Sequence, residues 1–346
     1  SQFSSIRNTA SSSTLDRLGF KSEGTNLNLR YQNNTIISDS LFGIKYNLSN
    51  FDINKYGFNH VTSEKTMGLY QNNNASQLAI LTDGIYNNID FTVNTLDNQT
   101  SLLNALSGLN LNYFKRVPSQ LFDQDAKSLN QRVAKNVSNS NKDFVTITYR
   151  VIAPPHSQLY VSVPNISWSD DNNHSLSITV NGVTRNQVTD NTFDFFDLGY
   201  FETEAMVTIK LSFPGNKAIS FDNPSFYALD TKNYQIAMDT INDRDSKVTT
   251  SNNKVFVDYS SKTNASLFFT IPYDKGWTAT INHKKVKIQR AQKGFMKVDV
   301  PSGKGKVVLT FIPYGLKTGL LISLLASIIF CCYAYFIRKI TIIRNS

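Results

Sequence analysis

The chain has 346 residues, 40% apolar, 18% charged and 12% aromatic, which excludes a disordered or collagen-like polymer and leaves room for two or three domains. Its net charge of +9 is unevenly placed: residues 245–346 hold 16 Lys and Arg against four Asp, a local +12, while residues 1–244 balance at −3. The 38 asparagines, about one residue in nine, accompany many Phe, Tyr, Thr, Val and Ile, a mixture that points to short strands joined by turns.

Residues 1–24 are polar and Ser-rich and read as a linker, with a short helix expected near Thr14–Leu18. The chain starts without Met, an apolar leader or a cleavage motif, so the simplest expectation is the tail of a longer membrane protein. Residues 25–140 read as an α/β subdomain. In it the apolar run Leu41–Leu48 predicts a buried strand, and "TMGLYQNNNASQLAILTDGIY" predicts a hairpin around its Asn cluster. A helix is expected over "TSLLNALSGLN", capped by Thr100 or Ser101 and ended by Gly108. The polar stretch Pro118–Asn141 reads as a linker.

Residues 141–242 form a first β-sandwich. Its strands are "DFVTITYRVIA", "QLYVSVP", "SLSITVNGVTRNQV", with a tight turn at Asn181-Gly182, and "EAMVTIKLSF". A short helix over Thr231–Asn242 closes it. Residues 243–315 give a second, basic sandwich of five strands with turns at "DKG", "NHK" and "PSGKG". The fold class is therefore mainly β with a smaller α/β N-terminal part: two jelly-roll-like sandwiches, then one transmembrane helix. That helix spans 316–340, since Thr318 to Ile337 holds no charge for 20 positions, enough to cross a bilayer. Arg338, Lys339 and Arg344 follow it and Lys317 stands alone before it. The positive-inside rule then puts the 341–346 tail in the cytoplasm and residues 1–317 outside.

Chemistry is harder to find. Cys331 and Cys332 both lie inside the membrane run, so no disulfide staples the rest. Sequons such as "NLS" and "NAS" are expected by chance in so Asn-rich a chain. His60, His156, His174 and His283 lack metal-ligand spacing, and neither a phosphate loop nor a G-x-S-x-G elbow is present. Ser169–Asp171 and Asp243–Asp245 have the look of a D-x-D metal motif but read as solvated loop carboxylates. In "NTFDFFDLGYFETEA", Asp194, Asp197, Glu202 and Glu204 could pair for glycoside hydrolysis. The preferred reading puts Phe193, Phe195 and Phe201 in the core and the acids in water. Trp277, after the Asp274–Gly276 turn, either packs in the sandwich or stacks on a sugar, and packing is preferred. The basic excess is either a solvated face or an attraction to anionic lipid or a polyanionic substrate.

The run "IPYDKGWTATINHKKVKI…GFMKVDVPSGKGKVVLTFIPYGLKTGLLISL" resembles the C-terminal end of the YfhO family of bacterial multi-pass membrane proteins, and "DSLFGIKYNLSN" is similar to an earlier strand of that family. The resemblance implies a GT-C-type glycosyltransferase that decorates a lipoteichoic acid-like polymer in Gram-positive bacteria from a polyprenyl-phosphate-linked sugar donor. The family's catalytic acid is expected near the N-terminus of the full protein, and no position here corresponds to it, so no catalytic residue is assigned. Trp277, Lys284, Lys285, Lys287 and Arg290 are the candidate substrate-binding residues. No metal or cofactor is identified. Expected partners are membrane lipid, a polyanionic cell-envelope glycopolymer and a polyprenyl-phosphate sugar synthase; no nucleic acid is expected. The competing readings are a non-catalytic carbohydrate-binding or scaffold ectodomain that recruits a partner glycosyltransferase, and a surface protein anchored by one helix.

Overall fold

The computed structural model describes residues 9–22, 29–30, 35–124, 127–129, 132–135, 144–168, 174–189, 194–214 and 219–344. Among the described residues, five helices punctuate a β-rich fold: α1 (Thr9–Arg17), α2 (Ile36–Leu41), α3 (Thr95–Ser107), α4 (Thr231–Asn242) and α5 (Leu316–Arg344).

Two antiparallel sheets form the first sandwich. One runs in the order Val183–Thr189, His174–Val180, Ala205–Pro214, Phe144–Ala153, Ser119–Gln124; the other runs Asp194–Phe201, Ser157–Val163, Ser225–Asp230, Phe114–Val117. Alternate apolar side chains, among them Ile147, Val151, Leu159, Val161, Phe196 and Leu211, meet between them. The Asn181-Gly182 turn has positive φ at both residues, 47° and 90°, as a two-residue hairpin loop requires. The second sandwich repeats the plan. Its larger sheet is Ser246–Ser251, Lys254–Ser261, Gly303–Phe311, Trp277–Ile281, Lys284–Val286, and its smaller sheet is Gln289–Ala291, Phe295–Val300, Ala265–Phe269, Ala79–Leu81.

A helical layer joins the sandwiches. Leu18 of the α1 turn, Ile36 and Ile37 of α2, Leu102, Leu103 and Leu106 of α3, and Tyr234 and Met238 of α4 share one core. That core also takes Tyr160 and Phe195 from the smaller sheet of the first sandwich and Phe268 and Phe295 from that of the second. The smaller sheet of each sandwich is therefore covered on two faces. Every residue of Ser157–Val163 and of Ala265–Phe269 is buried, the polar Ser157, Gln158, Ser162 and Ser266 included.

Several elements depart from the sequence reading. Leu41–Leu48 is not a buried strand: α2, capped by the Thr35 hydroxyl, ends at Leu41, and the strand Tyr46–Ser49 leaves Leu48 71% exposed. Its partners are Met67–Asn72 and, beyond that, Phe58–Glu64. Met67–Asn72 and Ala79–Leu81 are not a hairpin, because the first stays in this three-stranded sheet while the second joins the second sandwich and pairs with Ala265–Phe269. Pro118–Asn141 is not a linker. It holds the strands Ser119–Gln124, Lys127–Leu129 and Arg132–Lys135; the first two lie at sheet edges, where a polar sequence is tolerated and hides them. Strands from 25–140 thus lie in both sandwiches.

The remaining differences are local. Helix α3 starts earlier than expected, with Asn94 as its N-cap, and ends on Gly108 at φ 77°. Residues 1–24 hold more than a linker. Ser11 and Thr14 of α1 donate to the carbonyls of Gly294 (2.7 Å) and Gln292 (2.6 Å), and a Cβ at Gly294 would stand 2.6 Å from the Ser11 Cα. The basic block has more than five strands, since Ser246–Ser251 adds an edge and "KKVKIQRA" divides between two sheets. Helix α5 follows the strand Gly303–Phe311 after four residues, and its Leu316–Arg338 portion is long and apolar enough to span a membrane, with none of it buried against the rest.

Candidate functional site

The segment Trp277–Ala291 folds back at Asn282–His283, where φ is 46° and 70°, and then crosses from the larger to the smaller sheet of the second sandwich. Lys284–Val286 is the outermost strand of the first sheet and Gln289–Ala291 of the other, so one lateral edge carries Lys284, Lys285, Lys287 and Arg290, all exposed. None of the four enters an ion pair among the described residues. Arg290 lies 4.5 Å above the Tyr273 ring. Lysines on an unpaired edge also keep other strands from pairing there, a role that needs no ligand.

Trp277 is half-buried. Its ring meets Phe311 at 5.0 Å and packs on the core of the second sandwich. The structure therefore brings the four cations together along one edge and turns Trp277 inward from them.

The acidic candidates separate. Asp243 and Asp245 are exposed, but Arg244 between them is not. Its guanidinium donates to the carbonyls of Leu81 and Leu106, both at 2.6 Å, and of Ser107, closing the C-terminal turn of α3. Burial lowers its pKa, opposed by Asp83. Ser169–Asp171, Phe193 and the Asp194 side chain lie outside the described residues. Glu202 and Glu204 are exposed; Glu202 bonds the Tyr200 hydroxyl and faces His156 at 3.2 Å. His60 bonds Ser63 at 2.7 Å. Among the described residues, no three of His, Cys, Asp and Glu gather as a metal site.

Asp197 does not face water as the sequence suggested. It projects from the covered side of the smaller sheet. Its Oδ1 accepts from the Gln158 amide (2.7 Å) and the Gly199 N–H (2.8 Å). Its Oδ2 has no hydrogen-bond partner and stands 4.0 Å from the Lys55 ammonium, which itself donates to Asp39 at 2.7 Å. Burial pushes the Asp197 pKa up, with Lys55 and Arg185 opposing. Asp39 is fully buried. This Asp–Lys–Asp group ties α2, the 50–57 loop and the sheet together. Nothing in the local sequence announces it, since Asp39, Lys55 and Asp197 meet only through the fold.

The profile of the family described as Bacterial membrane protein YfhO matches residues 1–323. The chain belongs to the YfhO family of bacterial membrane proteins. A YfhO relative from Bacillus subtilis strain 168, named as an uncharacterized protein, is 24% identical over 135 residues, which make up 37% of this chain and 16% of that protein. Among solved structures, a cycloisomaltooligosaccharide glucanotransferase from Paenibacillus sp. covers 56% of the chain and 44% of its own length at 7% identity and TM-score 0.23. The arabinofuranosyltransferase AftD from mycobacteria covers 49% and 14% at 15% identity and TM-score 0.21. Likenesses this slight say nothing about activity.

Proposed function

We propose that this YfhO chain is the extracytoplasmic portion, with one membrane helix and a cytoplasmic C-terminus, of an integral membrane GT-C-type glycosyltransferase. In this reading the whole protein decorates a lipoteichoic acid-like polymer with sugar from a polyprenyl-phosphate-linked donor, and the second sandwich guides the polymer. The observation that supports acceptor guidance is the exposed, unneutralised edge of Lys284, Lys285, Lys287 and Arg290. Lys284 and Lys285 pair with Ile281 and Thr280, at the end of their hairpin away from the membrane helix. The strand from Trp277 to Ile281 rises about 13 Å, more than the Debye length of about 8 Å at physiological salt. Lysines at that height act weakly on lipid headgroups and are free to attract a polyphosphate chain. The catalytic acid belongs to a part of the protein outside this chain.

The test uses full-length protein in its own bacterium with Lys284→Gln, Lys285→Gln and Lys287→Gln combined. Sugar on the polymer is expected to fall severalfold at unchanged protein level. Undiminished decoration would remove the guiding role. Loss of decoration rescued by an added carbohydrate-binding module would instead favour a scaffold.

A further inference from the structure

Three of the four acids of the basic segment lie toward the start of its last strand, which runs toward the membrane, whereas exposed lysines flank both ends, Lys304 and Lys306 at the start among them. Backbone hydrogen bonds hold that strand in the sheet up to Ile312: the Phe311 N–H donates to Asn253 (2.9 Å) and the Ile312 N–H to Gly276 (3.0 Å). Only Pro313, Tyr314 and Gly315 then separate it from α5. Four Cα steps reach at most about 14 Å, so the sheet end at Ile312 is confined to the neighbourhood of the bilayer surface. Register identifies what sits there. Thr310 faces Lys254 and Phe311 faces Trp277, and the Asp274–Gly276 turn precedes Trp277.

This near end is cationic and aromatic. Lys254, Lys275 and Lys317 are exposed, and Tyr314 is 81% exposed with the Lys275 ammonium 5.7 Å from its ring centre. Its acid, Asp274, uses Oδ1 to accept the Gly276 N–H at 2.7 Å and so closes the turn. The other three carboxylates of the basic segment belong to the far end. Asp258 faces Lys306, the Asp245 carbonyl receives the Ser260 N–H, and Asp299 faces Ser266 beside the end of its strand.

We propose that the near end of the second sandwich is a docking surface for anionic phospholipid headgroups of the bilayer that α5 spans. Lys254, Lys275 and Lys317 meet the phosphates, while Tyr314 and the exposed edge of Trp277 lie at headgroup depth. Long lysine stems and amphipathic rings favour that boundary, and an anionic surface attracts cations within a Debye length. Covalent continuity with the membrane helix selects lipid over a soluble partner. Docking holds the sandwich upright on its three-residue tether. The inference does not depend on glycosyl transfer.

The test places the full chain in nanodiscs of phosphatidylcholine, with or without phosphatidylglycerol, that contain headgroup-nitroxide phosphatidylcholine. The chain has two tryptophans, and Trp168 lies 2% exposed in the first sandwich, so nitroxide quenching reports Trp277. Quenching is expected to be severalfold greater with phosphatidylglycerol. It should fall to the zwitterionic level in high salt and in the combined Lys254→Gln, Lys275→Gln, Lys317→Gln variant. Equal quenching in the two lipids overturns the proposal, and so does an equal loss in a Lys284→Gln, Lys285→Gln control. Hydrogen exchange of residues 252–256 and 273–279, slowed by phosphatidylglycerol, gives the same reading on the unsubstituted chain; unaltered exchange overturns it.

Discussion

Arg244 shows how much one side chain can bind together. It joins the Ala79–Leu81 strand, the last turn of α3 and the passage from α4 into the second sandwich through three carbonyl acceptors. Arg244→Ala leaves those carbonyls without their donor and is expected to destabilise the chain by about 2–4 kcal/mol in denaturant titration, with little recovery in Arg244→Lys, whose ammonium lacks the planar fork. Unchanged stability would show that water replaces the guanidinium. The buried carboxylates behave oppositely to each other. Asp39→Asn strands Lys55 and is expected to cost about 3 kcal/mol, whereas Asp197→Asn keeps an Oδ1 acceptor and is expected to be neutral or stabilising. The sign follows from Asp197 titrating above its unfolded value: its ionised form opposes folding at neutral pH, and that opposition fades as pH falls through the folded pKa. Asp299 runs the other way. Burial alone would raise its pKa, but hydrogen bonds from Ser266 and Lys297 outweigh burial and hold it low. Its contribution is present above the ordinary carboxylate range and is lost as pH falls through the lowered value. Urea titrations of Asp197→Asn and Asp299→Asn across acid pH should diverge accordingly.

At the scale of elements, legibility followed the number of wet faces. Helix α4, the Asn181-Gly182 hairpin and α5 were readable because each carries a local signal: an amphipathic period, a turn that demands positive φ, or 20 uncharged positions. The smaller sheets of the sandwiches misled. The preferred reading of "NTFDFFDLGYFETEA" put its phenylalanines in the core and its acids in water, but the helical layer covers the second side of the sheet, so Asp197 is buried opposite Phe196 and Leu198. Polar edge strands misled in the other direction. Ser119–Gln124 pairs with Phe144–Ala153 along one margin only and needs few apolar residues, so its sequence passes for a loop. Of the candidate site, the basic residues were legible as a sequence cluster, while their division between two sheet edges depended on the crossing after Val286.

For the whole molecule, the decisive fact is interlacing. The second sandwich borrows Ala79–Leu81 from far upstream, and Thr82 and Ser266 exchange hydrogen bonds across 184 positions. Lys297, buried in the same sandwich, donates to the Tyr86 carbonyl at 2.7 Å, and the Gln292 side chain binds Tyr86 and Ile89. A fragment of residues 243–346 therefore lacks one strand and one wall of its core. It is expected to remain protease-sensitive alone in detergent and to gain resistance when residues 9–108 are supplied in trans. A resistant fragment by itself would show that the borrowed strand is dispensable.

That borrowed strand also sets a clock. At roughly 5–20 residues per second, a ribosome needs about ten to forty seconds to travel from Leu81 to Leu267. Throughout that interval Ala79-Ile80-Leu81 has no partner of its own sheet, while the first sandwich is already being completed. The newborn chain must keep a short apolar strand from pairing wrongly until its true neighbour has been made, so the order of synthesis is itself a hazard written into the topology.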